Sequence, residues 1–65
     1  MEIKLNGKTC MVAEKTTAAD LLIIKGYKGK AAIWVNDVQL LLSEYQAYQI
    51  KAADEVRIFR IVGGG

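Results

Sequence analysis

The residues of this chain that could do chemistry lie at its end, in Arg60-Ile61-Val62-Gly63-Gly64-Gly65. An apolar stretch runs up to Val62 and stops in three glycines. With glycine at roughly 7% of average composition, three in succession at a terminus arise by chance about 0.03% of the time. Such a tail carries no side chain, so its one functional group is the terminal carboxylate of Gly65. Three extended residues reach about 10 Å. Lacking Cβ atoms, they can pass a narrow channel and take backbone angles closed to other residues. That combination suits delivery of a carboxylate into another protein's active site. A frayed terminus or a cloning remnant would read the same way, because chain ends are often poorly ordered. Taken alone, the tail leaves both readings open.

No other constellation competes with it. Cys10 has no histidine anywhere in the chain to activate it, and it reads as a buried strand residue rather than a nucleophile. One cysteine and no histidine leave no zinc site, and the seven carboxylates show no close pair suited to a metal. No metal or bound cofactor is expected. Asp20 is explained as a helix cap.

Sixty-five residues make one small domain, in which only about 60% of the unfolded surface can be buried. A core fits, but a full catalytic cleft does not. Its hydrophobic fraction is 52%, yet no apolar run approaches the ~18 residues of a membrane span. A net charge of +2 with scattered lysines does not argue for nucleic acid. Met1-Glu2-Ile3 begins a strand pattern at once, so no signal or transit peptide is expected. With a single cysteine, the expected location is a reducing cytoplasm.

These elements must position the tail. Glu2-Ile3-Lys4-Leu5-Asn6 alternates polar and apolar, the period of a half-buried strand. Asn6-Gly7 then signals a two-residue hairpin turn, and Lys8 to Ala13 returns. Ile3, Leu5, Cys10 and Val12 share the inner face. Thr16 or Thr17 caps a helix over about residues 17–25, with Thr17-Ala18-Ala19-Asp20 resembling a capping box. Ala18, Leu21, Leu22 and the stem of Lys25 form its inner face, and Gly26 closes it. Ala31 to Val35 is a third strand, ended by Asn36-Asp37. Val38 to Leu42 reads as a brief strand, Ser43-Glu44-Tyr45 as one helical turn, and Tyr48-Gln49-Ile50 as another short strand. A turn at Ala52-Ala53-Asp54 leads into the last strand, Glu55 to Phe59.

This order predicts an α+β fold of the β-grasp (ubiquitin-like) kind, a mixed sheet of four to five strands with one main helix across one face. The last strand pairs in parallel with the first and lies centrally. Residues 1–62 form the domain, and 63–65 a flexible glycine tail of which Gly64 and Gly65 should be the most mobile positions. Strand alternation puts Ile33, Val35, Val56 and Ile58 inside, and Trp34 and Phe59 together on the open face. Clustered exposed aromatics mark interaction surfaces. The alternative is that a loop or the Tyr48 region covers them. Arg57 and Arg60 either flank this surface and meet acidic partner residues or are simply solvated.

The length, Asn6-Gly7, Thr17-Ala18-Ala19-Asp20-Leu21-Leu22, Val35-Asn36, Ser43-Glu44-Tyr45, Lys51-Ala52-Ala53-Asp54 and Val62-Gly63-Gly64-Gly65 together resemble the ThiS sulfur carriers of thiamine biosynthesis. The resemblance spans nearly the whole chain. It implies a carrier or co-substrate of partner enzymes, not an enzyme, whose Gly65 carboxylate an E1-like adenylating enzyme activates with ATP. Sulfur from a cysteine desulfurase persulfide, or another persulfide donor, then yields a terminal thiocarboxylate that thiazole synthase uses. Related readings are a carrier for molybdopterin, for cysteine or methionine, or for tRNA thiolation, and a ubiquitin-like modifier of lysines. Two positions depart from the pattern. Ala52-Ala53-Asp54 stands where the family usually has Asp-Gly-Asp, so Ala53 carries a cost of about 1 kcal/mol if its φ is positive. Leu42 replaces a usual basic residue.

Overall fold

The computed structural model describes residues 1–28 and 30–61. The expectations placed on Val62 and on the glycines 63–65 lie outside the described residues. The strands are β1 (Glu2–Leu5), β2 (Lys8–Met11), β3 (Ala31–Val35), β4 (Val38–Gln39) and β5 (Glu55–Arg60). One helix, α1 (Ala18–Ile24), and a short 3-10 turn (Leu42–Glu44) complete the set. The sheet order is β2-β1-β5-β3-β4. β5 runs parallel to β1 and antiparallel to β3, so the last strand is central, as expected for a β-grasp sheet.

Two hairpin turns set the registers. Asn6 and Gly7 connect Leu5 to its partner Lys8, with φ of 50° and 82°. Asn36 and Asp37 connect Val35 to Val38, with φ of 50° and 67°. Both are two-residue loops with positive φ at each position, the twist that matches paired strands. Asparagine tolerates this region because its short amide bonds locally.

The same two asparagines clasp β5. The Asn6 side chain accepts a hydrogen bond from the Ile58 amide at 2.8 Å and donates to the Ile58 carbonyl at 3.3 Å. β1 ends at Leu5, opposite Val56, so the Asn6 amide continues the ladder where the strand backbone has turned away. On the other edge, the Asn36 oxygen accepts from the Glu55 amide at 3.0 Å and its NH₂ donates to Asp54 at 3.0 Å. The buried Asp54 carboxylate also accepts from the Lys51 amide at 2.8 Å. No buried charge is left without a partner at this end.

α1 is bounded by its own chemistry. Thr17 Oγ1 accepts from the Asp20 amide at 3.1 Å, and Asp20 Oδ2 accepts from the Thr17 amide at 3.0 Å. Both halves of a capping box are therefore formed, with Asp in the usual Glu position. At the other end Gly26 has φ of 73°. Its N–H donates to Ile23 and that of Tyr27 to Leu22, the two bonds of a Schellman closure. Ala18 and Leu21 are fully buried against the sheet. Lys25 is exposed, so its stem is not part of the inner face. Ile3, Leu21, Ile33 and Val56 are the largest fully buried side chains, each contributing about 1.5–3 kcal/mol.

Several boundaries differ from expectation. The Tyr48–Ile50 segment makes only an isolated bridge, Gln49 with Thr17, because the edge it would join is occupied by the start of the helix. The strand expected over Val38–Leu42 is limited to Val38–Gln39. Ala31, near the start of β3, has its carbonyl capped by the Tyr45 hydroxyl at 2.9 Å, in place of a longer β4. β5 continues one residue beyond Phe59, because Arg60 pairs with Ala31. Cys10 is half-buried rather than buried, since β2 is an edge strand.

Ala53 has φ of 68°, so the expected strain is present. Ala53→Gly should raise stability by about 0.5–1 kcal/mol, the net of ~1–2 kcal/mol relieved and ~0.5–1 lost to chain entropy. Asn6→Ala should cost about 3 kcal/mol, from two lost hydrogen bonds and a left-handed alanine. Asn6→Gly keeps the turn and should cost about half as much. Urea unfolding measures all three, and equal losses for the two Asn6 variants would mean that turn strain adds nothing.

Burial, then Asp54 and Glu44, push the Tyr48 phenol above its ordinary value of 10.0. The neutral form is the one the fold favours. Its contribution is complete below pH 10 and is lost as pH rises through the raised value. Tyr48→Phe should therefore flatten the alkaline decline in stability, read as melting temperature against pH.

Candidate functional site

The described chain ends at Ile61, the root of the glycine tail. The Ile61 amide donates to the Lys30 carbonyl at 3.1 Å. That bond carries β5–β3 pairing one step beyond the strand and fixes the root to the centre of the sheet. Four residues, Val62 to Gly65, follow it in sequence.

Around the root the sheet presents its open face. Register pairs Trp34 with Arg57 and Ala32 with Phe59, so the two aromatic residues are diagonal neighbours. Their ring centroids lie 5.6 Å apart at 76°, an edge-to-face contact worth about 0.5–1.5 kcal/mol beyond buried area. Phe59 remains 52% exposed, and Trp34 is half-buried. Among the described residues no loop covers Phe59. Tyr48 belongs to the helix side, where its carbonyl accepts from the Ala18 amide.

The structure separates the two arginines. Arg57 lies on the open face, beside Trp34. Arg60 alternates with Val56 and Ile58 and so falls on the other side of β5. Its guanidinium sits 5.7 Å from the centre of the Tyr27 ring, a cation–π distance. The Tyr27 hydroxyl in turn accepts from the Asn6 amide at 3.4 Å. Arg60 thus flanks the root from the helix side and does not extend the Trp34–Phe59 surface.

Sequence reasoning missed a third component. Ile61, Leu41 and Leu42 are 54%, 67% and 79% exposed. All three line a groove of about 440 Å³ floored by Ala31 and Ala32. The signal was there: the odd-numbered alternation of β5 runs on through Phe59 to Ile61, and Val38 to Leu42 is apolar throughout apart from Gln39. Reading that run as a strand placed half of it inside.

Among the described residues, two ionisable side chains line the groove, Lys30 and Tyr45, and the Tyr45 hydroxyl is already bonded to Ala31. No acid–base pair or nucleophile faces it. Among the described residues no group of three or more His, Cys, Asp or Glu could hold a metal. No helix among them is long and apolar enough to cross a membrane. The exposed aromatic and aliphatic side chains around the root form a surface suited to binding a partner.

Comparison with known proteins agrees with this geometry. The ThiS family model matches residues 3–65, including the whole glycine end. A solved structure of a thiamine biosynthesis protein (ThiS) from Geobacter metallireducens superposes with a TM-score of 0.85 at 26% identity, covering 100% of both chains. No curated protein matches the sequence significantly.

Phe59→Ala should leave the fold intact, cost about 1 kcal/mol through the lost ring contact, and shift Trp34 fluorescence to longer wavelength as water reaches the indole. An unshifted spectrum would mean that Phe59 does not shield Trp34 in solution.

Proposed function

Since the chain belongs to the ThiS family, we propose that it is a sulfur carrier of thiamine biosynthesis whose working group is the Gly65 carboxylate. The observation that carries the reading is a family match running through residue 65. The central, doubly clasped strand β5 supports it, because it gives the tail a rigid root.

The chemistry follows from the carboxylate. It is a poor electrophile, and hydroxide is a poor leaving group. An E1-like adenylating enzyme lets a Gly65 oxygen attack the α-phosphorus of ATP and expel pyrophosphate. A persulfide sulfur from a cysteine desulfurase or similar donor then attacks the acyl carbon and expels AMP. A further thiol cleaves the resulting acyl disulfide, leaving the thiocarboxylate on Gly65 and a disulfide on the donor side. Thiazole synthase takes the sulfur from there. The chain binds no cofactor of its own, and ATP belongs to the partner. The setting is the cytoplasm, where thiols stay reduced. Gly63 and Gly64 admit the tail to a narrow channel. Trp34, Phe59 and Arg57 dock the partner, with Arg60 beside the root. The carrier's contribution is positioning.

Deleting Gly65 shortens the reach by about 3.5 Å, and misplacement of a reacting atom by ~1 Å can cost ~100-fold in rate. The deletion should therefore lower carrier-dependent pyrophosphate release at least ~100-fold and abolish the gain of about 16 Da (one oxygen replaced by sulfur) in intact mass. Gly64→Val should be nearly as harmful, because a β-branched side chain cannot follow the backbone into the channel. Neither should change the melting temperature, since glycine has no side chain to pack. Near-native sulfuration of the shortened chain would overturn the reading. Lysine-linked adducts in place of the +16 Da species would turn it towards protein modification.

A further inference from the structure

The topology sorts charge along the sheet. β5 ends where β1 turns into β2 and where β3 begins. Tyr27, just beyond α1, reaches the same end through Asn6 and Arg60. Lys8, Lys25, Lys28, Lys30 and Arg60 are therefore gathered around the tail root, all exposed. Glu2, Glu14, Asp20, Asp37, Asp54 and Glu55, six of the seven carboxylates, lie within or next to the element ends at the opposite pole, and the seventh, Glu44, is engaged by the Leu41 amide. With a net charge of only +2, the chain is a dipole whose positive pole surrounds its root.

The apolar groove lies at this pole. Ile61 and Lys30 both line it, together with Leu41 and Leu42. Each of those three exposed aliphatics forgoes more than half of the about 1.5–3 kcal/mol that full burial gives, a large share for a 65-residue domain of marginal stability. Reach supplies the remaining constraint. Four residues separate Ile61 from the terminal carboxylate, at most about 14 Å of extended chain. An enzyme that acts on Gly65 must bring its surface to within that distance of Ile61, and so lies over the groove as well.

We propose that the groove and its cationic rim form a second docking surface, separate from the Trp34–Phe59 pair, for an apolar segment bordered by Asp and Glu on the adenylating enzyme. The rim speeds encounter, and Leu42 seats the segment. Long-range attraction between opposite charges acts mainly on association, whereas a buried aliphatic acts on residence. This rests on the proposed sulfur-carrier function.

The test measures pyrophosphate release by the cognate adenylating enzyme against carrier concentration, at ~10 mM and ~300 mM salt, where screening differs severalfold in range. The variants are Lys28→Glu/Lys30→Glu, Leu42→Asp and, as a charge-matched control at the far end, Lys15→Glu/Lys51→Glu. Urea unfolding confirms that each is folded. The rim variant should lose about 10-fold or more in kcat/KM at low salt, mostly recovered at high salt, with the loss in KM. Leu42→Asp should lose about 10-fold at both salts. The far-end control should change by less than about twofold, beyond the steering pole. If the rim and Leu42 variants behave like the control while the wild type turns over, the docking surface is wrong and the carrier function stands. If the wild type releases no pyrophosphate, the carrier reading falls and this proposal with it. A labelled 20-nucleotide DNA bound by the wild type at ~150 mM salt, and not by the rim variant, would reassign the basic pole to nucleic acid.

Discussion

The structure depends on how β5 is held. It is the last strand to be made and the middle strand of the sheet, and both of its edges are completed by side chains. Asn6 takes over from β1 at Ile58, and Asn36 takes over from β3 at Glu55. Each asparagine also supplies the positive φ of a hairpin turn. One residue therefore sets a register and bonds the strand that the register must serve. A backbone group bonded in this way avoids the desolvation cost of an unpaired amide, and the shared residue couples the two hairpins through β5.

That coupling gives the residues after β5 a firmly held root. Any pull on the chain beyond Ile61 is received at its amide, bonded to Lys30, and passed to a strand paired on both sides. The core beneath is modest, with Ile3, Leu21, Ile33 and Val56 as its largest fully buried members. Among the described residues, Tyr27, Lys30 and Arg60 border the root. In the proposed function the domain serves as a firm base from which a partner positions the Gly65 carboxylate.

The surface around the root is arranged with the same economy. The edge-to-face pair of Trp34 and Phe59 fills one side, and the cation–π contact of Arg60 with Tyr27 fills the other. The groove itself lies where β4 stops short beside the start of β3. The short β4 leaves Ala31 to be capped by Tyr45, and small residues at 31 and 32 leave space above them. Exposed aliphatics in a domain this size are a stability cost, and an association surface is the physical reason for bearing it.

Much of the architecture was written locally. Asn6-Gly7, the Thr17–Asp20 capping box, Gly26 and the alternation of β3 and β5 act within a few residues, through φ preferences, caps and period, and all appear in the fold where the residues place them. Alternation also set Trp34 beside Phe59, because registers of period two leave only two faces. The strain at Ala53 came into view only through the resemblance, which sets a glycine at that turn position. What the sequence could not decide was anything set by where a partner strand ends. The loss of the Tyr48–Ile50 strand, the half-exposure of Cys10, the truncation of β4 and the groove beneath Leu41 and Leu42 all depend on which edge is free. So does the separation of Arg57 from Arg60, which needs β5 to continue past Phe59 under pairing from Ala31. The clasp of Ile58 by Asn6 joins residues 52 positions apart, and no local rule reaches that far. Turns, caps and strand phase are short-range and belong to the sequence; edges, grooves and the gathering of charge around the root arise only when β5 is inserted between β1 and β3.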